Sequence, residues 1–461
     1  MRKTFLLLAL SAALPVFAQN TDIESLSGLQ FNFGNPGARS LGMGGAFLGL
    51  ADDASAAEAN PAGLTILRKP EISVEIRNYV EQQIFTTTGT FPDITRTAFN
   101  HYSQRAPITF ASAVYPYKNA TFGAYFHEAL RNEGSGQVIP IRNEFSGAVT
   151  ADVPTFYLPK NGSGGPVSRD QCLAINKAAN DDFACLQYTI LPFLSALDVT
   201  ERTYGLAGAY KIGAWSFGGT VRYQRFNETA FTFRVTPEFD FSSISVQATS
   251  DVTSNDAKAK DVSDVTFAAG VKWAPSDRFS AGAVYKQGAR YKAPTFAANE
   301  DTNFAFVKVS DTTFHIPDIL GAGVSFRPIP VLTVNVDGVH VKYSNLVDNF
   351  VSINESVREI DNAYKAPDVT EIHVGTEYFF STKIPLALRL GWWHDPAHSI
   401  EYRGPLTTPD RVAAAILYPK GESQNHRSIG AGLAWPRFQV DAAYDTSPHY
   451  KVASVSMVTR F

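Results

Sequence analysis

From Glu71 to the end of the chain, apolar residues return at every second position. In 265–273, Val265, Phe267, Ala269, Val271 and Trp273 alternate with Thr266, Ala268, Gly270 and Lys272. In 279–291, Phe279, Ala281, Ala283 and Tyr285 alternate with Ser280, Gly282, Val284 and Lys286. In 370–380, Ile372, Val374, Thr376, Tyr378 and Phe380 oppose Glu371, His373, Gly375 and Glu377. In 438–444, Phe438, Val440, Ala442 and Tyr444 oppose Gln439, Asp441 and Ala443. Alternation of this kind predicts strands with one apolar, aromatic face and one small, polar or charged face.

The connections alternate as well. Tight turns are expected at 118–119, 212–213, 276–277, 328–330, 381–384 and 435–436. Longer polar connections fall at 89–104, 131–198, 230–263, 293–312, 347–368 and 395–425, with a shorter one at 447–450. Short turns at one end and long loops at the other are the pattern of an outer-membrane barrel. Counting through the alternation gives about fourteen strands, an even number, which places both chain ends at the short-turn side. The last strand carries Ala453, Val455, Met457, Thr459 and the terminal Phe461 on one face. An amphipathic last strand ending on Phe resembles the recognition signal of bacterial outer-membrane proteins.

Residues 37–64, GARSLGMGGAFLGLADDASAAEANPAGL, do not fit this period. They are rich in glycine, carry Asp52 and Asp53, and contain the breaker Asn60-Pro61-Ala62-Gly63. Asp52, Asp53 and Ser55 are placed to cap a short helix over 54–59, which Asn60-Pro61 ends, because a residue before proline avoids helical geometry. A compact segment in front of a long all-β chain predicts a plug.

Composition narrows the class. With 461 residues, 33 Phe, 19 Tyr, a net charge of −4 and a mean hydropathy of −0.10, the chain is aromatic without being greasy overall. Alternating lipid-facing and lumen-facing residues produce that balance. The mild acidity argues against nucleic acid as a partner. Arg2 and Lys3, the apolar run 5–17 and Val16-Phe17-Ala18 predict a signal peptide over 1–18, and Gln19 leaves no lipoprotein cysteine at the junction. No apolar run is long enough for a transmembrane helix. The expected organisation is therefore a signal peptide (1–18), an N-terminal hatch (19–69) and a transmembrane antiparallel β-barrel (70–461) in the bacterial outer membrane. Cys172 and Cys185 lie in the exported part, where an oxidising compartment favours a disulfide over two free thiols.

On these residues the chain resembles the FadL family of outer-membrane transporters for hydrophobic compounds. The 37–64 stretch is similar to that family's N-terminal hatch, and Asn60-Pro61-Ala62 to its NPA signature. A weaker similarity lies in His315-Ile316-Pro317-Asp318-Ile319-Leu320 and Lys342-Tyr343-Ser344. The resemblance implies a monomeric barrel that captures a fatty acid or hydrocarbon among its outer loops and holds it in the lumen. Release would follow hatch movement, with lateral exit into outer-membrane lipid at an inward kink of the third strand. Here that strand is expected over 121–130, and Gly123 is either the kink or an ordinary small residue.

Candidate chemistry follows from that mechanism. Gly42, Gly44 and Gly45 allow close packing or left-handed backbone in the hatch. Asp52 and Asp53 either pair with the lumen-facing bases Arg222, Lys272 or Arg389, or cap a helix facing water. By alternation Arg222, Lys272, Lys286 and Arg389 point inward, as anchors for a carboxylate or as members of a structural charge network. Phe183, Leu186, Ile190, Leu191, Phe193 and Leu194 form the most apolar long-loop segment, either a capture site or ordinary loop packing.

Enzymatic and metal signals are set aside. Gly42-Met43-Gly44-Gly45 follows no strand, so it is not a dinucleotide fingerprint. His394-Asp395-Pro396-Ala397-His398 is broken by Pro396, against a metal site. Nothing assembles a nucleophile, a base and an orienting acid, so no catalysis and no cofactor are expected. Two other roles stay open for such a barrel, as a secretion-shuttle component that binds protein and as a general porin.

Overall fold

A strand with one polar and one apolar face needs a partner on each edge and a place for both faces. In the computed structural model, which describes residues 33–102, 108–138, 155–162, 164–189, 193–240, 245–298, 307–347 and 363–461, fourteen strands meet both needs by closing on themselves. They are β1 (Glu71–Thr90), β2 (Ile108–Tyr117), β3 (Ala120–Val138), β4 (Phe193–Ile212), β5 (Trp215–Asp240), β6 (Ser245–Ser276) and β7 (Phe279–Lys286). They continue as β8 (Ile319–Ile329), β9 (Leu332–Val341), β10 (Val369–Phe380), β11 (Leu386–Asp395), β12 (Gln424–Ala434), β13 (Phe438–Thr446) and β14 (Tyr450–Arg460). Each pairs antiparallel with its neighbour in the chain. The ring closes where Glu71–Glu81 of β1 lies against Arg460–Tyr450 of β14.

The two faces separate by polarity. Leu206, Phe267, Leu390, Ile429 and Val455 point outward and are exposed, while Thr266, Lys272, Glu377, Arg389 and Asp441 point inward and are buried. An apolar exterior around a charged interior suits a barrel in lipid. Among the described residues no helix is long and apolar enough to cross a membrane. The predicted signal peptide, 1–18, lies outside the described residues.

Tight turns occupy 118–119, 213–214, 277–278, 330–331, 381–385 and 435–437, all at one end. At the other end, several connections hold more strand than their composition predicts. Within 89–104, Asp93–Tyr102 pairs with Val80–Thr90, and within 131–198, β3 runs on to Val138 against β4. The 230–263 stretch is mostly the upper part of β5 and β6, and within 293–312 Arg290–Ala298 pairs with Val307–His315. Beyond the membrane both faces of a ladder can meet water, so the hydrogen bonds continue after the alternation stops. The strand expected over 279–291 is broken. It leaves its ladder after Lys286, where Gly288 donates its backbone N–H to Asp318 (2.7 Å) and lies against the Ile316 carbonyl too closely to admit a side chain.

The outer loops have their own small core. Phe156 and Leu158 pack on Val412 and Ile416 of the helix Pro409–Leu417. A disulfide joins Cys172, on the helix Arg169–Ala179, to Cys185. In the proposed capture segment Phe183 is exposed and Leu186 half-buried, and Ile190 and Leu191 lie outside the described residues. Phe193 and Leu194 are not in a loop. They begin β4, in register with Val138 and Gln137 of β3.

Candidate functional site

The segment 33–69 runs inside the barrel instead of joining its wall. Its elements are short: α1 (Ala38–Gly42), α2 (Ala56–Ala59) and a 3-10 turn (Pro61–Ile66). The helix expected over 54–59 is confined to α2. Asp53 turns the chain into it by accepting from the Ser55 backbone N–H (2.9 Å) and hydroxyl (2.5 Å), and burial, opposed by Arg39, raises the Asp53 carboxyl above its ordinary value. Asn60 is extended and ends α2, but its side chain then accepts from the Ala62 N–H (3.2 Å) and starts the next turn. Met43, Phe47, Leu50, Leu64 and Leu67 are buried with Phe110, Val114 and Tyr125 of the wall.

Such short elements cannot hold their shape alone, and the wall supplies what they lack. Five strands approach the hatch through glycines so closely that a side chain would collide with it. Gly218 and Gly270 lie under Pro61-Ala62 and Asn60, Gly282 under Leu48 and Asn60, Gly375 under Met43, and Gly391 under Gly44. Two more continue the belt, since a side chain added at Gly323 would come within 3.1 Å of the Gly49 nitrogen and one at Gly430 within 3.0 Å of the Gly42 Cα. Gly218 faces Gly270, Gly282 faces Gly323 and Gly375 faces Gly391 across their ladders, so the belt passes from strand to strand. Within the hatch, Gly44 and Gly45 have φ of 64° and 80°, where a side chain would be strained.

Hydrogen bonds from the wall satisfy hatch backbone groups that its short elements leave unpaired. Asp337 accepts from the N–H groups of Phe47 (2.6 Å) and Leu48 (2.7 Å). Ser280 donates to the Gly49 carbonyl (2.7 Å), Ser112 to Ala54 (3.0 Å), and Lys272 to Leu50. His373 bonds the Gly44 carbonyl (2.7 Å), and Asn60 reaches back to the carbonyls of Leu48 (3.3 Å) and Val271 (3.4 Å).

The ion pairs correct the expected partners of Asp52 and Asp53. Both face Arg39 of the hatch itself, at 2.5 and 3.6 Å, and Asp52 also lies 3.6 Å from Arg327. Arg39 then bridges to Glu377 of the wall (2.8 Å), which Arg389 holds from the other side (2.6 Å) with Asp441 (2.8 Å) beyond it. Arg222 and Lys286 converge instead on Glu58, at 3.6 and 3.1 Å, and Tyr125 donates to its other oxygen. Glu58 was not singled out as a candidate, although it is the one acid of α2. Burial alone would raise its carboxyl, but Lys286 and Arg222 hold it well below the ordinary range. All four predicted lumenal bases therefore face the hatch or the acids that hold it.

On the loop side of the hatch the lumen changes character. Phe226, Tyr291, Phe314, Tyr343, Tyr364 and Tyr402 are buried in one cluster with Leu130, Val199 and Ile400. Phe226 stacks on Tyr291 (4.8 Å) and Phe314 (4.7 Å), and Tyr343 on His398 (3.9 Å). Glu201, one of the acids buried beside it, accepts from Thr203 (3.0 Å) and Gln224 (3.0 Å). Phe33, ahead of the hatch, packs against the same cluster with its ring 6.4 Å from that of Tyr343.

The third-strand irregularity is not at Gly123. That residue pairs regularly with Val114 and Ala207, and the register shift falls between Glu128 and Leu130. A second shift, between Glu75 and Ile76, marks where β1 leaves β2 after a short pairing. His398 contacts Asp395 (3.1 Å), and among the described residues no group of His, Cys, Asp and Glu could hold a metal ion.

Comparison with known proteins places this architecture. The family model described as "Outer membrane protein transport protein (OMPP1/FadL/TodX)" matches residues 171–453, a range that begins after the hatch. No curated protein matches the sequence. A FadL homologue of Pseudomonas aeruginosa is similar in structure, with a TM-score of 0.56 and 13% identity over 94% of this chain and 100% of that one. The toluene transporter TbuX of Ralstonia pickettii gives 0.53 and 15% over 94% and 100%. The toluene transporter TodX of Pseudomonas putida gives 0.50 and 14% over 93% and 99%.

Proposed function

The chain belongs to the outer membrane protein transport protein family (OMPP1/FadL/TodX), and we propose that within this family of hydrophobic-compound transporters it carries neutral hydrocarbons in preference to fatty acids. The observation that carries the preference is the engagement of the lumenal bases. A fatty acid needs a cation to receive its carboxylate, because burying an unpaired charge is costly. Arg222, Lys286, Lys272 and Arg389 already serve Glu58, the Leu50 carbonyl and the Glu377–Asp441 pair. The buried polar group beside the aromatic cluster above them is the acid Glu201, already hydrogen-bonded to Thr203 and Gln224, which supplies no cation for a carboxylate. Stacked rings offer a flat, apolar surface, with about 0.8 kcal/mol gained per buried methylene or its equivalent.

The route we propose starts among the outer loops, passes the aromatic cluster and leaves sideways into outer-membrane lipid. Leu130 and Val199 belong to the cluster and lie just on the loop side of the register shift of β3, so an irregular seam of the wall adjoins the site. Phe33 couples the two regions, since it packs on the cluster while its chain continues into the seated hatch. Filling the cluster would displace Phe33 and pull on Gly37 and Ala38, which are held by Glu75 (2.8 Å) and Ser456 (3.2 Å).

Native mass spectrometry of the purified barrel tests the substrate class, with uptake of a monoaromatic hydrocarbon and of a long-chain fatty acid measured side by side. Hydrocarbon uptake that survives Arg222→Gln supports the neutral reading. A bound fatty acid whose uptake is abolished by that variant would overturn it. A protein stably held on the loops would favour the shuttle role, and ionic conductance in planar bilayers the porin role.

A further inference from the structure

The short-turn end of the barrel carries a ring of positive charge, although the whole chain has a net charge of −4. Each of the six tight turns has a Lys or Arg in it or within three residues of it. They are Lys118, Lys211, Arg278, Arg327, Lys383 and Arg437. Arg68 and Lys69 add to the ring where the hatch leaves the lumen, and both are exposed. Some bases of this end are committed elsewhere, Arg327 beside Asp52 and Arg460 on Glu71 (2.8 Å). Lys118, Lys211, Arg278, Lys383 and Arg437 have no ion pair among the described residues. Asp277 is the exposed acid among these turns.

The same turns sit beside a girdle of outward aromatic residues. Tyr117, Trp215, Trp273, Phe380 and Phe438 are all exposed on the lipid side. Lys118 lies 5.3 Å from the ring of Tyr117, so its stem follows the girdle and its charge lies at the girdle's edge. Aromatic residues of this kind mark the level of lipid headgroups, and long basic side chains next to them reach the phosphates. The alternative source of negative charge, an acidic periplasmic protein, would need bases directed away from the membrane, not interleaved with its aromatic border.

We infer that the periplasmic rim is a binding surface for the phosphate headgroups of anionic phospholipid in the inner leaflet of the outer membrane. Each base near an anionic surface is worth about 1 kcal/mol, roughly five-fold in lipid preference. The ring therefore selects its lipid annulus and fixes the depth of the barrel at the end where the hatch opens. This surface is independent of the transported compound.

The test uses the full-length barrel in vesicles of phosphatidylcholine and phosphatidylglycerol, followed by extraction in detergent and measurement of the lipid that stays bound. The native protein should retain phosphatidylglycerol at least five-fold above its share of the vesicle. The variant Lys118→Gln/Arg278→Gln/Lys383→Gln/Arg437→Gln should retain the two lipids near their mixing ratio. Asp277→Asn should move the preference the other way, which keeps the test decisive if the fourfold variant assembles poorly. Equal retention by native protein and both variants would overturn the inference. So would a preference that persists unchanged in the fourfold variant. An acidic periplasmic protein that binds the native rim, with no lipid preference, would assign the ring to that partner instead.

Discussion

The two halves of the lumen are built on opposite principles. Toward the turns, the hatch is held by polar contacts, and the wall is pared back to glycine so that backbone meets backbone. Toward the loops, the wall keeps its largest side chains, and Phe226, Tyr291 and Phe314 fill the space with stacked rings. Backbone contact has one geometry and resists change, whereas an aromatic cluster can repack around a guest at modest cost. The contrast separates a tightly seated plug from a repackable apolar lining within one barrel.

The strongest way to break that contrast is to fill the glycine seat. Gly391→Val places methyl groups where Gly44 lies, and Gly270→Val does the same at Asn60. Either should unseat the hatch and raise single-channel conductance by about an order of magnitude, since a seated plug and an open barrel of this size differ at least that much. A native-like conductance trace from both variants would sink the seat as the gating element.

Removing the charge at Glu58 comes next. Arg222 and Lys286 would then be buried without their acid, a loss of about 3–5 kcal/mol for a broken buried pair. Thermal unfolding of Glu58→Ala should show a clearly lower midpoint, and replacing Arg222 and Lys286 as well should recover part of it. The same pair sets a pH dependence. The Glu58 carboxyl is held below the ordinary range in the folded protein. Its stabilisation is thus fully present above the unfolded carboxylate value of about 4.3, and it is lost as pH falls through the lower folded value. Conductance measured from neutral pH downward should stay low through the ordinary carboxylate range and rise only in stronger acid.

In the upper half, Phe226→Ala should leave conductance unchanged and weaken hydrocarbon binding by about ten-fold, as expected for one lost stacking surface of up to ~1.5 kcal/mol. Ligand titration on the intact barrel measures this. The smallest effect is expected at Asn60→Ala, where loss of the side-chain cap costs about 1 kcal/mol. Uptake should fall while surface levels stay normal, because Gly218, Gly270 and Gly282 still seat the Pro61-Ala62 backbone.

Much of this was legible in the chain. Alternation identified the lumenal face, and Gly270, Gly282 and Gly375 already stood on it among small and polar residues. Their shared height in the barrel was not legible, because it depends on register across several ladders, and a residue's neighbour in the next strand is not its neighbour in sequence. The inward direction of Arg222, Lys272, Lys286 and Arg389 follows from period two alone. Their partners do not, since period two says nothing of how the hatch is turned in the lumen and so of which of its acids meets the wall. For β3 the sequence leaves Gly123 as either a kink or an ordinary small residue, and it pairs as an ordinary one while the irregularity falls elsewhere. It lies instead at Glu128–Leu130, where Glu128 is held by Arg131 (3.5 Å) and Arg202 (3.0 Å) and the ladder slips by one residue. A bulge of this kind is dictated by side-chain contacts on either side of it, not by backbone freedom.

The glycine belt also has a consequence for assembly. The hatch precedes every strand in the chain, yet its seat is made by β5 to β12. At synthesis the plug exists before any part of its socket, and the last glycine of the socket, Gly430, arrives when little more than two strands remain. Its short elements, which cannot hold their shape alone, therefore take it only as the wall closes around them. The barrel acts as the mould in which its own plug is cast.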